Sequence, residues 1–293
     1  MIAAFVVLAL SAPCDEIVVD GEKRTYEVFT PERRDPSSKD AAPRPLLIVL
    51  HGHGGSAHQV RVDSGFDAEA SKRGVVVLYP EGIDHHWRDA RLYTQKTPDP
   101  NARELIARDE KFIFTVVDDL VAKGVVDKAR VYVAGHSNGA MMTLTIACDH
   151  ADRIAGIGVV AGNLSTSTCA PSRAVPAIFF QGTADPLVPF KGGPIGIAGA
   201  RGFVRSADDT VNVFAQKAAC TSAKKRAPVD NVKLDGTSIV VEDRAGCTVP
   251  IARVIVDGGG HGWPGHAPIF LRHSREIDAT AAMAAFFFDG RSP

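Results

Sequence analysis

The chain has 293 residues, 45% of them hydrophobic, and a formal net charge of −1. This length and apolar content suffice for a sizeable core, in one large domain or in two smaller ones. The chain contains no block of like charge, so nothing in its sequence suggests a nucleic-acid partner. No apolar run reaches the roughly 18 residues that a membrane-spanning helix requires.

The N-terminus begins with the apolar run MIAAFVVLAL, followed by the small residues SAPC. That order is typical of a signal peptide and its cleavage site, although the basic residues that normally precede the apolar run are missing. We predict a signal peptide over residues 1–13 and a secreted or periplasmic protein. A buried N-terminal strand and a misassigned start are the alternatives.

Strand-like and helix-like runs alternate along the remaining chain. Residues 16–31 contain two alternating runs joined at Asp20-Gly21, a pattern that predicts a β-hairpin. Continuous apolar runs predict buried strands at residues 45–50, 75–80, 130–135, 154–162, 177–182 and 252–259. Helical spacing and capping residues predict helices at residues 108–123, 138–149, 206–219 and 274–288. The alternation predicts an α/β fold with a mostly parallel central sheet and helices on both faces.

A serine lies between two glycines where a predicted strand meets a predicted helix. The sequence Gly135-His136-Ser137-Asn138-Gly139 matches the G-x-S-x-G nucleophile elbow. A strand that turns directly into a helix strains its central residue and leaves no room for side chains at the flanking positions. The turn projects the hydroxyl above the sheet, at the positive end of the helix. Ser137 is therefore the predicted nucleophile, and an ordinary serine at a helix start is the alternative.

A serine hydroxyl is a weak nucleophile until a base removes its proton. In the α/β-hydrolase order, the acid and the histidine both follow the serine. His261, in the glycine-rich loop DGGGHGWPG, is the predicted base, with His266 and His273 as competitors. Asp185, in QGTADPLVPF, is the predicted acid that orients the imidazole. An aspartate in a turn before proline is the alternative for Asp185.

The oxyanion of an acyl-transfer reaction needs two backbone N–H donors. The predicted donors are Asn138, next to the serine, and His53, in the glycine-rich loop 51–55, with Gly54 close by. A plain glycine turn is one alternative for this loop. A metal site on its two histidines is another, but two imidazoles without a partnering carboxylate are a weak signal. No metal is predicted.

Five cysteines occur without any C-x-x-C pair, so a structural zinc site has no support. In an exported protein they predict two disulfides and one remaining thiol. Cys220 ends a predicted helix and Cys247 precedes a predicted strand, which favours a bond between them. Cys148–Cys169 is the second candidate. Alternatively, some of these residues are small buried hydrophobic side chains.

Trp87 and Trp263, the two tryptophans of the chain, both belong to loops of the predicted site. Either ring is suited to stacking on an aromatic acyl group or a sugar of the substrate. For Trp263, packing against the histidine loop is the alternative.

These blocks together resemble α/β-hydrolases of the polyhydroxybutyrate depolymerase and feruloyl esterase type, a group also linked to acetyl xylan esterases. The resemblance extends from about Tyr26 to Phe288 and is carried by LHGHGGS (50–56), YPEG with the tryptophan after it (79–87), GHSNGAMM (135–142), QGTADPLVPF (181–190) and GGGHGWPG (258–265). It implies a secreted ester hydrolase with a Ser137, Asp185 and His261 triad and a Cys220–Cys247 disulfide. The chain departs from the family in lacking a tryptophan near Cys220. Its glycine-rich segment 191–205, directly after the acid, also looks particular to this chain and is expected to shape the substrate cleft.

The sequence therefore predicts a single catalytic domain over residues 14–293 and a serine esterase that needs no cofactor. The predicted substrates are small-molecule or polymer esters, either feruloyl and acetyl esters of plant cell-wall polysaccharides or short hydroxyalkanoates. A serine peptidase or an acyltransferase of the same fold is the enzymatic alternative. A non-catalytic binding module is the alternative from another class of protein.

Overall fold

The computed structural model describes residues 14–32, 42–232, 234–266 and 274–293. The predicted signal peptide at residues 1–13 and the competitor His273 lie outside these ranges. The strands are β1 (Asp15–Val19), β2 (Glu22–Phe29), β3 (Arg44–Leu50), β4 (Val76–Pro80), β5 (Val126–His136), β6 (Gly156–Val160), β7 (Ala177–Gly182), β8 (Gly193–Pro194), β9 (Phe203–Val204), β10 (Ser222–Lys225), β11 (Ser238–Ala245) and β12 (Ile251–Asp257). The α-helices are α1 (Ala57–Ser64), α2 (Phe66–Arg73), α3 (Ala102–Ala122), α4 (Asn138–Asp149), α5 (Ala207–Lys217) and α6 (Ala279–Phe288).

Ten of these strands form one sheet in the order β1-β2-β4-β3-β5-β6-β7-β12-β11-β10. The central strands β4-β3-β5-β6-β7-β12 run parallel, and antiparallel pairs extend the sheet at both edges. The predicted mostly parallel sheet is confirmed, and the hairpin predicted at Asp20-Gly21 forms the β1-β2 edge. Strands β8 and β9 pair separately, within segment 191–205.

Alternate residues of the central strands face opposite layers of helices. On β3, Leu46, Ile48 and Leu50 belong to the core under α3, α4 and α5, whereas Leu47 and Val49 belong to the core under α1, α2 and α6. A strand that is covered on both faces is apolar at every position, which explains its continuous apolar run. The predicted layers of helices on both faces are confirmed. The carboxyl ends of the parallel strands therefore meet at one edge, where ligands bind in such folds.

Two predicted helices begin at other residues than expected. Helix α3 begins at Ala102 rather than at 108, because Ala102 and Ile106 are already buried against the core. Helix α6 begins at Ala279 rather than at 274, because the Asp278 carboxylate caps it by accepting the Ala281 N–H at 2.9 Å.

The sequence pattern did not predict α1, α2, β10 and β11, nor the two-residue strands β8 and β9. The short helices α1 and α2 bury only two or three residues each, and β10 is exposed along its length. The apolar run in β11 ends at the charged residues 242–244. Elements that bury so little apolar surface give weak periodic signals.

Four of the five cysteines form disulfides. Cys148–Cys169 joins the end of α4 to the segment after β6, and Cys220–Cys247 joins the end of α5 to the turn after β11. Cys14 is exposed and free. Both bonds that the sequence suggests are therefore present. Among the described helices, none is long and apolar enough to cross a membrane.

Replacing Cys220 and Cys247 together by serine should lower the free energy of unfolding by about 3 kcal/mol. The bond links positions 27 residues apart and so restricts the unfolded chain. Urea denaturation followed by circular dichroism measures the loss. Cys14→Ser, which breaks no disulfide, serves as the control and should unfold like the parent. An unchanged urea midpoint in the double variant would contradict the expectation.

Candidate active site

Ser137 lies in a tight turn between β5 and α4. Its φ of 56° and ψ of −118° fall in a region that residues with a Cβ rarely adopt. Its N–H donates a hydrogen bond to the Val160 carbonyl of β6 at 2.9 Å. A Cβ added at Gly139 would lie 2.5 Å from the His51 carbonyl oxygen, and one added at Gly135 would overlap the backbone of Gly139. The glycines thus permit the close approach that the elbow motif requires.

Three residues far apart in the sequence meet at this turn. His261 Nε2 lies 2.8 Å from Ser137 Oγ, and His261 Nδ1 lies 2.7 Å from Asp185 Oδ2. The other carboxylate oxygen, Oδ1, accepts the backbone N–H groups of Leu187 and Val188, each at 2.8 Å. Because the Asp185 carboxylate can only accept a hydrogen bond, Nδ1 of His261 carries the ring proton. Nε2 is then free to accept the serine proton. The described competitor, His266, instead contacts Asp278 at 3.2 Å.

His136 packs behind the catalytic histidine candidate. The ring centroids of His136 and His261 are 5.0 Å apart. Burial, and then the proximity of His261, lower the pKa of His136 to about 3. The His136 ring is therefore neutral at working pH and adds no positive charge that would oppose protonation of its neighbour.

Two backbone amides on the cavity wall are free of protein acceptors within the described part of the chain. They belong to His53 and to Asn138, which line the same cavity as Ser137. Asn138 is the first residue of α4, where an N–H has no acceptor within the helix. By contrast, the Gly54 N–H donates to the His85 carbonyl at 2.7 Å. Of the two candidates in loop 51–55, the structure thus leaves His53 available rather than Gly54.

Trp87 connects the two segments that carry these free amides. Its backbone N–H donates to Asn138 Oδ1 at 2.8 Å, and its carbonyl accepts from Asn138 Nδ2 at 3.0 Å. Its indole N–H donates to the His51 carbonyl at 3.0 Å. The same Asn138 amide group also donates to Asp89 at 2.7 Å. Trp87 lines the cavity but is only 2% exposed. Through these hydrogen bonds it fixes the start of α4 relative to loop 51–55.

His51 uses both ring nitrogens inside the protein. Its Nε2 accepts the Gly82 N–H at 3.0 Å, so Nδ1 carries the proton and donates to the Gly52 carbonyl at 2.8 Å. Burial lowers the pKa of His51. The ring fixes loop 51–55 and has no lone pair left for a metal.

Trp263 is placed differently from the prediction of a substrate contact. Its indole N–H donates to Thr280 Oγ1 at 2.9 Å, and its ring meets Phe66 edge-on. It is buried and is not among the described residues that line the cavity beside Ser137. The tryptophan packs behind the histidine loop, as the alternative had it, because α2 and α6 enclose it.

The cavity beside Ser137 has a volume of about 460 Å³. One wall comes from the loops after β3 and β4. The loop that carries Asp185 and segment 191–205 also line the cavity, through Leu187, Val188, Ile195 and Arg201. A second cavity, of about 600 Å³, lies between α3 and α4 and does not include Ser137.

Residues 36–195, more than half of the chain, match the phospholipase/carboxylesterase family. The chain belongs to this family and is an α/β-hydrolase of the esterase type. The protein named "Putative esterase NocK" of Nocardia uniformis subsp. tsuyamanensis is 33% identical over 264 residues, covering 85% of this chain and 73% of that protein. Feruloyl esterase C of Emericella nidulans is 24% identical over 262 residues, covering 88% and 82%.

Among solved structures, an acetyl xylan esterase from Aspergillus awamori superimposes with a TM-score of 0.56 at 14% identity, covering 86% of this chain and 94% of that one. At this identity the likeness concerns the fold. The resemblance that the sequence motifs indicate, to esterase-type α/β-hydrolases, is confirmed by the family and by these relatives.

Trp87→Phe keeps an aromatic ring but removes the indole N–H that holds loop 51–55. If the two free amides bind the developing oxyanion, this variant should lower kcat about tenfold with little change in KM, a fraction of the cost of losing a donor outright. Steady-state hydrolysis of 4-nitrophenyl acetate measures both constants. Trp263→Phe makes the same chemical change away from the cavity and should stay close to the parent. Equal losses in the two variants would contradict the assignment.

The buried His136 should make folding sensitive to acid. Its folded-state pKa of about 3 lies below the value near 6.5 of an unfolded histidine. Between these values the unfolded chain binds a proton that the folded protein does not, so the free energy of unfolding falls as the pH falls from about 6.5 towards 3. At about pH 4.5 this residue should cost about 3 kcal/mol of stability relative to neutral pH.

Urea denaturation of His136→Gln at several pH values tests this contribution. The variant should have a flatter dependence of unfolding free energy on pH than the parent over that window. His58→Gln, at a histidine whose side chain is 62% exposed, is the matched control. A slope in His136→Gln as steep as that of the parent would show that this residue is not the source.

Proposed function

We propose that the protein is a serine esterase that cleaves carboxylic esters through an acyl-enzyme. The observation that carries the proposal is the hydrogen-bonded chain from Ser137 Oγ through His261 to Asp185, with distances of 2.8 and 2.7 Å. As Ser137 Oγ attacks the ester carbonyl carbon, His261 Nε2 takes its proton. Asp185 keeps the imidazole in the required tautomer and stabilises the imidazolium.

In this mechanism the carbonyl electron pair moves onto oxygen, and the free amides of His53 and Asn138 donate to that oxygen. The positive end of α4 favours the same charge. When the tetrahedral intermediate collapses, the C–O bond to the alcohol breaks and the alcohol leaves with the proton from His261. Water then attacks the acyl carbon by the same route, which releases the acid and restores Ser137. The reaction balances without a cofactor.

The proposed substrates are feruloyl, acetyl or short hydroxyalkanoate esters. A cavity of about 460 Å³ accommodates a small acyl group, and Met141, Val188 and Ile195 offer it apolar contacts. The similarity to a protein named feruloyl esterase C supports an aromatic acyl group among these.

We further propose that residues 14–293 form a single catalytic domain of an exported protein. One sheet links strands from Asp15 to Asp257, and helices on both faces share its two core layers. Two disulfides support a secreted or periplasmic location, because such bonds persist in oxidising compartments.

Ser137→Ala should lower kcat by about 10⁴-fold or more, since the nucleophile is lost and only the amides and binding remain. The measurement compares parent and variant on 4-nitrophenyl acetate, methyl ferulate and hydroxybutyrate oligomers. The ratios among these substrates identify the preferred acyl group.

Ser206→Ala removes a hydroxyl that caps α5 and lies outside the cavity lining, so it should retain the parent's activity. A phosphonate ester that labels the parent at Ser137, and fails to label the alanine variant, gives a readout independent of turnover. Equal hydrolysis by the parent and Ser137→Ala would refute the proposed nucleophile.

A further inference from the structure

The glycine-rich segment 191–205 contributes one positively charged side chain to the catalytic cavity. Its strands β8 and β9 pair with each other, and the Arg201 N–H donates to the Ile195 carbonyl at 3.0 Å. The segment is fixed to the body of the protein, because the Thr166 N–H donates to Phe203 and the Lys96 N–H donates to Gly199, each at 3.2 Å. Arg201 is therefore presented from an anchored hairpin.

Close packing sets the position of Arg201 beside the site. Gly202 follows it with φ of 88°, and a Cβ added there would lie 2.8 Å from both Cβ and the carbonyl oxygen of Arg91. Arg201 and Arg91 both line the cavity that contains Ser137. Partial burial, and then the positive charge of Arg201, lower the pKa of His53. The Arg201 guanidinium therefore lies close enough to His53 to influence its ring electrostatically, and His53 lines the same cavity.

The other charged side chains of this cavity already have partners. Arg91 forms an ion pair with Asp89 at 2.6 Å, and Arg88 lies 3.7 Å from Asp84. The Asp99 carboxylate accepts the N–H of Asn101 at 2.8 Å. Arg201 is exposed, and within the described ranges its side chain has no acceptor. Among the described residues that line the cavity, Arg201 is the arginine without a carboxylate partner, and the Asp99 carboxylate has only its hydrogen bond from the backbone.

We propose that Arg201 binds a carboxylate of the substrate, so that the enzyme prefers esters bearing a free carboxylate to neutral esters of the same size. A guanidinium matches a carboxylate with two parallel N–H donors. The apolar residues Leu187 and Ile195 line the same cavity and would contact the carbon spacer between the ester and the acid group. This inference rests on the proposed esterase function and names a substrate class within it.

Matched pairs of esters test the preference. On the acyl side, 4-nitrophenyl hydrogen adipate is compared with 4-nitrophenyl hexanoate. On the alcohol side, 4-acetoxybenzoate is compared with its methyl ester. The parent should favour the anionic member of at least one pair by about fivefold in kcat/KM, mainly through KM, the upper size expected for an exposed charge pair. The preference should shrink as the ionic strength rises.

Arg201→Gln should abolish this preference while it leaves the neutral esters within about twofold of the parent, and Arg201→Lys should retain part of it. Lys191→Gln removes the same charge from the same segment, away from the cavity lining, and should keep the parent's preference. An Arg201→Gln variant with an unchanged ratio would overturn the proposal. Equal losses on neutral and anionic esters would overturn it too, because they would indicate a structural role.

A binding measurement separates this subsite from the esterase proposal. Isothermal calorimetry of adipate titrated into Ser137→Ala measures binding without turnover. Adipate should bind about fivefold more weakly when Arg201→Gln is added to that variant. If the parent shows no esterase activity but adipate binding to Ser137→Ala still depends on Arg201, the proposed function is refuted and the subsite is preserved. Equal binding in both proteins would refute the subsite alone.

Discussion

The close approach of α4 to the end of β3 is the constraint on which the rest of the site depends. Gly139 lies so near the carbonyls of Leu50 and His51 that no side chain fits between them. This contact brings the free amide at the start of α4 next to the loop that follows β3. It also forces Ser137 into its strained backbone conformation, held by the hydrogen bond to Val160. The strain is sustained because strands on both sides and two core layers fix the surrounding backbone.

A buried polar network keeps the two segments that carry the free amides aligned. Its members are Trp87, the Asn138 side chain and His51, each with its polar groups bonded to backbone or to other side chains. Such groups are costly to bury unless they are paired, and fully paired they favour one arrangement of the loops. The network fixes loops that line the cavity, and the Asp185 loop and the hairpin in segment 191–205 line it as well. The hairpin in segment 191–205 lines the cavity without carrying Ser137, Asp185 or His261.

The order of strands in the sheet brings Asp185 and His261 to Ser137. Strand β7 lies next to β12, so the loops after these strands bring Asp185 and His261 together although 76 residues separate them. The Asp185 carboxylate is aimed by two backbone amides of its own loop. The neutral His136 ring packs against the His261 imidazole. The two disulfides tie the ends of α4 and α5 to neighbouring segments. The positions of Asp185 and His261 thus depend on the packing of neighbouring elements around one sheet.

The sequence by itself determined the elements with strong local signals. Apolar runs located the central strands, and the two glycines around Ser137 identified the elbow, because strand burial and tight turns restrict residue types locally. The sequence did not determine that Trp263 would be enclosed by α2 and α6. Nor did it determine that the Asn138 side chain would form two hydrogen bonds with the Trp87 backbone. It also gave no sign that Arg201 would face the cavity without a partner. Those features depend on which side chains meet across long sequence separations, and only tertiary packing decides that.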